Sequence, residues 1–421
     1  MPLFHIHGLV GCLLSSLAAG ASVVCTPGFE ADQFLSWLQE CQPTWYSAVP
    51  TMHQAVLAQA QQSGLPDRPL RLIRSSSAAM PSRIMAEMET TFGVPVIEAY
   101  GMTEASHQMT SNPLPPAQRK PRSVGLARQT EVAIAALATN ELLPQGEIGE
   151  VVIRGEAVTK GYASNPTANA SAFFEGWFRT GDQGYLDEEG YLFLQGRLKE
   201  VVNRGGEKVS PVEVDEALME LPQVAQAVAF AVPHPTLGED LAAAVVLKPG
   251  AQITSEALRA YLFDHIADFK VPSQIIVVDA IPKGATGKLQ RLGLADKLAD
   301  RLKSKFIAPR NATEQAISDI MTEVLERECV GIEENFFAIG GDSLKGTQVA
   351  SRLMERFGVD LANVVVFRRP TVAQLAIEIA ELTEQSHLDG DDMQDLLNEL
   401  QGLSSDEIDQ LLQDADIVHS P

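Results

Sequence analysis

Several short stretches of this chain combine residue types that can do chemistry. Tyr100-Gly101-Met102-Thr103-Glu104 sets together a ring that can stack on a base, a hydroxyl that can bond a phosphate oxygen and a carboxylate that can hold Mg²⁺; it also suits an ordinary surface turn. Phe178-Arg179-Thr180-Gly181-Asp182 places a carboxylate after a tight turn, where it either bonds two vicinal ribose hydroxyls or belongs only to the turn. Thr286-Gly287-Lys288 carries an ammonium in a Gly-containing loop, with a solvated surface charge as the alternative. Gly340-Gly341-Asp342-Ser343 precedes an apolar-periodic stretch and reads as a helix cap supplied by Asp or Ser. Residues 196–208 set charges beside Val201-Val202 and then Gly205-Gly206, the pattern of an exposed joint entering a short hairpin.

The texture of the chain says what must position these groups. Residues 21–25, 44–48, 70–74 and 94–99 are strand-like, and 31–41 and 81–92 carry helical spacing. That alternation predicts a parallel sheet with covering helices, and it puts Tyr100 to Glu104 just past a strand's carboxyl end, where such sheets bind ligands. From Glu131 the pattern changes to short strands at 150–154, 184–186 and 191–194, an antiparallel annex. Residues 200 to about 300 read as a small α+β body, with helices at 212–221 and 255–265 and strands at 225–232, 241–248 and 274–278. After a charged bridge at 299–310, three or four amphipathic helices follow. The expected division is 1–196, 197–300, a linker at 301–311, 312–385, and an acidic tail at 386–421.

At 421 residues and 45% hydrophobic content the chain can bury several cores. The net charge of -23 is uneven, since residues 312–421 hold 23 acids against 6 bases. No basic face is available to neutralise phosphates, so nucleic acid is not an expected partner. Cys12, Cys25, Cys41 and Cys329 show neither CxxC nor framework spacing, which predicts a reduced compartment and no structural zinc. Residues 9–24 are apolar, but no Lys or Arg precedes them and they fall short of a membrane span. They read as a buried strand and helix rather than an export signal, and the expected location is cytoplasmic with no membrane partner.

The motifs also have an order. Pro2-Leu3-Phe4-His5-Ile6-His7-Gly8, then Tyr100 to Glu104, the 149–162 block, Phe178 to Asp182, the 196–211 joint and Pro282 to Arg291 together resemble the adenylate-forming superfamily of acyl-CoA synthetases, luciferases and peptide-synthetase adenylation domains. The resemblance covers residues 1 to about 300. It implies an α/β architecture comprising part of the large adenylation domain (parallel sheet plus antiparallel annex) and a small α+β C-terminal subdomain. It also implies a two-step reaction, in which a carboxylate attacks the α-phosphate of ATP to give an acyl adenylate and pyrophosphate, and a pantetheine thiol then takes the acyl group. Residue by residue, Tyr100 would stack on adenine within the nucleotide loop that includes Gly101, Thr103 would contact the adenylate phosphate, Glu104 would engage Mg²⁺, and Asp182 and Arg197 would bind ribose. Lys288 would bridge carboxylate and α-phosphate, neutralising charge as two anions meet. Lys199 matches the hinge; rotation about it would exchange Lys288 for the 203–207 loop, making Gly205, Gly206 and Glu207 the thiolation loop. His5 matches a residue gating the thiol channel, where the residues alone suggest a core His.

Residues 74–78 and 104–107 place hydroxyls and a His where many relatives have small or apolar residues, so Ser76, Ser77 and His107 are the expected substrate pocket. With 45–54 and 203–215 this is similar to the oxalate-CoA ligase branch, and a polar lining suits a small or dianionic carboxylic acid. Residues 335–344 resemble the phosphopantetheine attachment site of carrier proteins, implying a helical-bundle carrier domain with 4′-phosphopantetheine on Ser343 and a phosphopantetheinyl transferase as partner. Residues 393–412 resemble an acidic docking segment for a downstream synthase module, with a solvated tail as the alternative.

The departure is at the front, where nothing matches the family's phosphate-holding loop or the first strands of its large domain. A fragment or mis-started copy, half of a split enzyme, and a degenerate carrier are the three readings. The chain alone is then expected to adenylate poorly and to expose apolar surface. The reading adopted is a truncated adenylation domain fused to a carrier in a polyketide or nonribosomal-peptide type assembly line. The alternative is an inactive remnant acting only as carrier or docking protein.

Overall fold

The computed structural model describes residues 1–65, 70–284, 287–303, 306–362 and 364–384; the expected docking segment and Thr286 lie outside the described residues. The chain divides into two compact units, Met1–Pro233 with Leu237–Leu302, and Lys303 onward with His234–Thr236.

In the first unit, β1 (Trp45–Ala48), β2 (Leu72–Ser76) and β3 (Val96–Met102) run parallel, while β4 (His107–Ser111) and β5 (Leu126–Ala127) continue the sheet antiparallel. The strands joined by crossovers are parallel, as expected, and β4 and β5 extend that sheet antiparallel because the turn after β3 returns the chain directly as a hairpin. The crossovers are the helices Pro50–Ser63, opened by a proline whose fixed φ suits a first helical position, and Ser82–Phe92, closed by Gly93 in the left-handed region. β6 (Glu131–Ala135), β7 (Gly149–Arg154), β8 (Phe173–Phe174), β9 (Trp177–Leu186) and β10 (Leu192–Arg197) form the antiparallel annex. One core of Tyr100, Met109, Ile153, Phe178 and Leu192 joins the two sheets, so the strands carrying Tyr100 and Asp182 are fixed relative to each other by burial.

The small body holds β11 (Val202–Arg204), β12 (Glu207–Val209), β13 (Val224–His234), β14 (Gly238–Leu247) and β15 (Gln274–Val277). β11 and β12 pair as the expected hairpin, turned by Gly205 and Gly206 at φ of 60° and 100°. Two expectations fail near the start. Residues 21–25 form no strand, since no neighbouring strand among the described residues takes up their backbone groups, and 9–24 are mostly exposed or half-buried, with Ser16 the exception: Leu9–Leu14 is π-helical and Ser15–Ala18 α-helical, with Leu9, Leu14, Leu17 and Val24 exposed. Leu3, Phe4 and Phe29 are exposed as well.

Gly101 is obligatory where β3 meets β4. A Cβ there would fall 1.4 Å from the His107 carbonyl oxygen. Gly101→Ala is expected to cost about 3 kcal/mol, the upper end for overpacking, because backbone cannot move aside as a side chain can. Amide exchange across β3 and β4 reads this directly, and unchanged protection would refute it.

In the second unit, helices Ala312–Leu325, Ser343–Phe357, Val365–Arg368 and residues 372–384 enclose Ile317, Met321, Phe336, Val349, Leu353 and Leu375. Asn311 caps the first helix by accepting the Glu314 N–H, and Gly358 at φ 67° closes the second. Among the described residues no helix is long and apolar enough to cross a membrane, no cluster of metal-ligating residues occurs, and the four cysteines are free.

Candidate active site

Asp182 is the meeting point. It projects from the middle of β9 with 6% of its surface open. The Tyr100 hydroxyl donates to its Oδ2, and Arg197 Nε, at the end of β10, lies 3.0 Å from Oδ1. Burial raises its pKa, and Arg197 and the Tyr100 hydroxyl oppose that rise. Tyr100 itself is 8% exposed and belongs to the core that joins the sheets. What it offers Asp182 is the hydroxyl that orients the carboxylate.

The turn after β3 presents the next two groups. Thr103 is exposed, and Glu104 follows it in a single 3₁₀ turn, Thr103–Ala105. The Tyr162 hydroxyl donates to Glu104 Oε1 at 3.0 Å, and the Thr159 N–H donates to the Glu104 carbonyl at 2.6 Å. Residues 159–162 thus clasp this turn, a role the sequence reading did not assign. Glu104 Oε1 carries that one hydroxyl contact, so the carboxylate keeps acceptor capacity for a hard cation.

Lys288 arrives from the small body. Its loop is fastened where the Thr51 hydroxyl, on the first turn of Pro50–Ser63, donates to the Gly287 carbonyl at 2.7 Å. Burial and then the Arg197 charge hold the Lys288 ammonium below its ordinary pKa, with Asp182 opposing them, and Lys288 in turn lowers His5. Lys288, Arg197, Asp182 and His5 are therefore one electrostatic group. Arg291, three residues on, ties this loop to the joint: its Nε lies 3.0 Å from Glu200 and its Nη2 2.6 Å from Asp215. Lys199 stands exposed in the turn that follows β10. Gly205, Gly206 and Glu207 lie in the β11–β12 hairpin, where Arg204 pairs with Glu207 and the Gly205 N–H donates to the Leu237 carbonyl.

A cluster of buried polar side chains also lies in this unit. His7 is fully buried, with Nε2 2.6 Å from the Ser47 hydroxyl and Nδ1 3.1 Å from the Ser77 hydroxyl. The His107 ring sits 5.3 Å from the His7 ring, and Gly11 abuts it so closely that a Cβ would lie 2.7 Å from its Nε2. Ser77 (φ 77°) and His107 (φ 92°) both hold left-handed backbone, the kind of local strain that a packed site maintains. Of the expected pocket residues, Ser77 and His107 come together; Ser76 does not, since its hydroxyl is spent on the Ala99 carbonyl at 2.7 Å. His5 is not a core His but half-buried, its Nδ1 accepting the His7 N–H at 3.2 Å. His7, Ser47 and Arg74 were missed; the second His of the Phe4–Gly8 segment was the available signal.

Burial, and then the Arg74 charge, lower the pKa of His7 to about 2 and of His107 to about 4, from 6.5. Both rings are neutral in the folded protein at pH 5 to 6, whereas an unfolded chain would protonate them. Their contribution is present above 6.5 and is lost as pH falls from 6.5 toward 4. His107→Gln should therefore lose less stability over that interval than the unsubstituted protein. Parallel urea midpoints between pH 6.5 and 4 would contradict this.

In the second unit Ser343 is exposed at the first position of its helix, next to Leu344 at 71% exposure. The cap comes from Asp342, whose Oδ1 accepts the Lys345 N–H at 2.8 Å, so the Ser343 hydroxyl is not needed for it. Surface position and an uncommitted capping role fit a serine that carries a covalent arm.

Comparison with known proteins gives a consistent picture. Residues 1–163 match the family of AMP-binding enzymes, 213–288 the AMP-binding enzyme C-terminal domain, and 315–379 the phosphopantetheine attachment site. A probable CoA ligase of Humulus lupulus is 49% identical over 300 residues, covering 70% of this chain and 57% of that protein. The oxalate–CoA ligase of Saccharomyces cerevisiae is 47% identical over 307 residues, covering 72% and 56%. The ATP-bound MatB crystal structure from Rhodopseudomonas palustris superposes with a TM-score of 0.65 at 32% identity, covering 72% and 60%. The chain spans somewhat more than half the length of the curated relatives it matches.

Proposed function

Given that the chain belongs to the AMP-binding, adenylate-forming family and carries that family's C-terminal domain and a phosphopantetheine attachment domain, we propose that it activates a small polar carboxylic acid as its adenylate and passes the acyl group to a thiol. The observation that carries this is the convergence of Tyr100, Asp182, Arg197 and Lys288 from four separate segments. Asp182, with both oxygens oriented, can accept the two ribose hydroxyls of a nucleotide. Lys288, kept partly desolvated, would hold a carboxylate oxygen against the α-phosphate, so that the oxygen–phosphorus bond forms as pyrophosphate leaves. Glu104 would hold Mg²⁺, which supplies charge neutralisation at the phosphates. Thr103 would offer its hydroxyl to the same anion.

A 4′-phosphopantetheine on Ser343 supplies the thiol that receives the acyl group. Its attachment calls for a phosphopantetheinyl transferase as partner. The hinge at Lys199, with Arg291 bonded to Glu200 beside it, would let the hairpin of Gly205, Gly206 and Glu207 replace the Lys288 loop, and His5 would stand at the thiol's approach. The neutral, hydroxyl-rich pocket of His7, Ser47, Ser77 and His107 disfavours an aliphatic tail, because its polar atoms would lose their partners to one. Kinship with an oxalate–CoA ligase points the same way.

The test is intact mass after incubation with CoA and a broad phosphopantetheinyl transferase, then with ATP, Mg²⁺ and a panel of short acids, together with AMP binding by calorimetry. A phosphopantetheine increment, an acyl increment with one acid and measurable AMP binding are expected. Carrier loading without AMP binding would remove the adenylating half of the reading and leave the carrier alone.

A further inference from the structure

Arg83 stands in the first turn of helix Ser82–Phe92, where a cation gains little from its own helix. The dipole there favours negative charge, and in its pair with Glu87, four residues on, the Arg-before-Glu order is the weaker one. Its stronger contacts lie elsewhere. The side chain is 16% exposed; Nη1 donates to Glu87 Oε1 at 2.7 Å, while Nε donates to the Met219 carbonyl at 2.9 Å and Nη2 to the Val224 carbonyl at 3.2 Å. Both carbonyls belong to the small body. Met219 lies in the last turn of helix Pro211–Glu220, whose final carbonyls have no partner within the helix, and Val224 opens β13. A guanidinium at that helix end also meets the negative pole of the dipole.

The helix gripped in this way is bonded in turn to the loop that carries Lys288. Asp215, one turn before Met219 on it, lies 2.6 Å from Arg291 Nη2, and Arg291 follows Lys288 by three residues. One rigid helix thus connects Arg83 to that loop. Other polar contacts between the two bodies are softer. Arg122 meets Glu216 with 60% of its side chain open to water, and the Thr51 hydroxyl makes a single neutral bond to the Gly287 carbonyl. Bodies that meet through contacts of this kind move against each other unless something fastens them. We infer that Arg83 is the fastener: by bridging two carbonyls of the small body it holds the orientation in which the Lys288 loop lies against helix Pro50–Ser63. In that orientation Lys288 feels both Arg197 and Asp182. Arg83 is therefore a positioning residue that acts through helix Pro211–Glu220. The fastening stands on the contacts alone, whereas its consequence for Lys288 rests on the functional reading above.

Trypsin reads the fastening on the full chain. Lys199 is exposed, but the Glu200 and Val201 N–H groups that follow it both donate to the Arg197 carbonyl, so cleavage after Lys199 needs this joint to open. Arg83→Met, which keeps the stem and deletes the donors, should raise the initial rate of that cleavage about tenfold, the factor for one lost charged hydrogen bond. Amide exchange across β13 and β14 should stay as slow as in the unsubstituted protein. Arg83→Lys, whose ammonium replaces the rigid fork, should fall between the two. Arg122→Met should change the rate by less than about twofold, because its pair is solvated. An unchanged rate in Arg83→Met overturns the inference, and so does an equal rise in Arg122→Met. Faster exchange throughout β13 and β14 overturns it too, since Arg83 would then support the fold of the small body rather than its orientation. Calorimetry with AMP reads the link to Lys288: Lys288→Ala should weaken binding in the parent and have little further effect in the Arg83→Met background. Additive losses would refute the positioning role. If the unsubstituted protein does not bind AMP, the functional reading falls while the cleavage rates still decide the fastening.

Discussion

Ser343→Ala is expected to reduce the phosphopantetheine mass increment to zero while leaving the second unit folded. The two effects separate because of how the helix begins. Asp342 accepts the Lys345 N–H and so satisfies an amide that has no partner within the helix. Ser343 contributes only an exposed hydroxyl at the first helical position. Its removal should change stability by no more than about 0.5 kcal/mol, as for most surface substitutions. Asp342→Ala gives the converse pattern, a loss of about 1 kcal/mol from the cap with the attachment hydroxyl still in place. Intact mass and urea unfolding of the two variants distinguish these roles; residual loading of Ser343→Ala would move the attachment site elsewhere.

The second large effect falls on Asp182. Asp182→Asn should weaken AMP binding by about ten- to hundredfold, the range for a charge-assisted hydrogen bond lost from a buried position. The amide keeps the shape of the site but can accept on one side only, and it no longer matches both the Tyr100 hydroxyl and a ribose diol. The unpaired Arg197 left behind adds little to the loss, because its side chain is 60% exposed and water solvates it. Tyr100→Phe, which deletes only the orienting hydroxyl, should cost less than Asp182→Asn. Calorimetry with AMP orders the three proteins; an Asp182→Asn affinity within twofold of the starting value would mean that ribose is held by other groups.

Much of this protein was legible in its sequence because the relevant signals are local. The helix at Ser255–His265 agrees with its expected bounds, and Ser82–Phe92 and Pro211–Glu220 fall within a residue of theirs, since apolar spacing, a leading proline or a closing glycine acts within one or two turns. The Gly205-Gly206 hairpin followed from the positive φ that its turn requires. The proposed attachment serine could be singled out for the same reason: Gly-Gly-Asp-Ser before an apolar-periodic helix is contiguous.

What periodicity could not supply was pairing. Whether Ala21–Cys25 would find a neighbouring strand, or whether the chain after β3 would return as a hairpin, depends on partners distant in sequence. The pocket was hidden more deeply. Ser76 and Ser77 are adjacent and chemically alike, yet one hydroxyl bonds the Ala99 carbonyl and the other faces His7, because positive φ at Ser77 turns the chain out of the strand. Arg74 reads in sequence as the charged last residue of a strand, and only burial in the folded chain leaves its Nη1 without a hydrogen-bond partner among the described residues. The sequence by itself determined which groups are present and which local elements carry them. The tertiary structure decided which of those groups lose their water and whom they meet, because desolvation and pairing are properties of contacts between segments and are not encoded in any one of them.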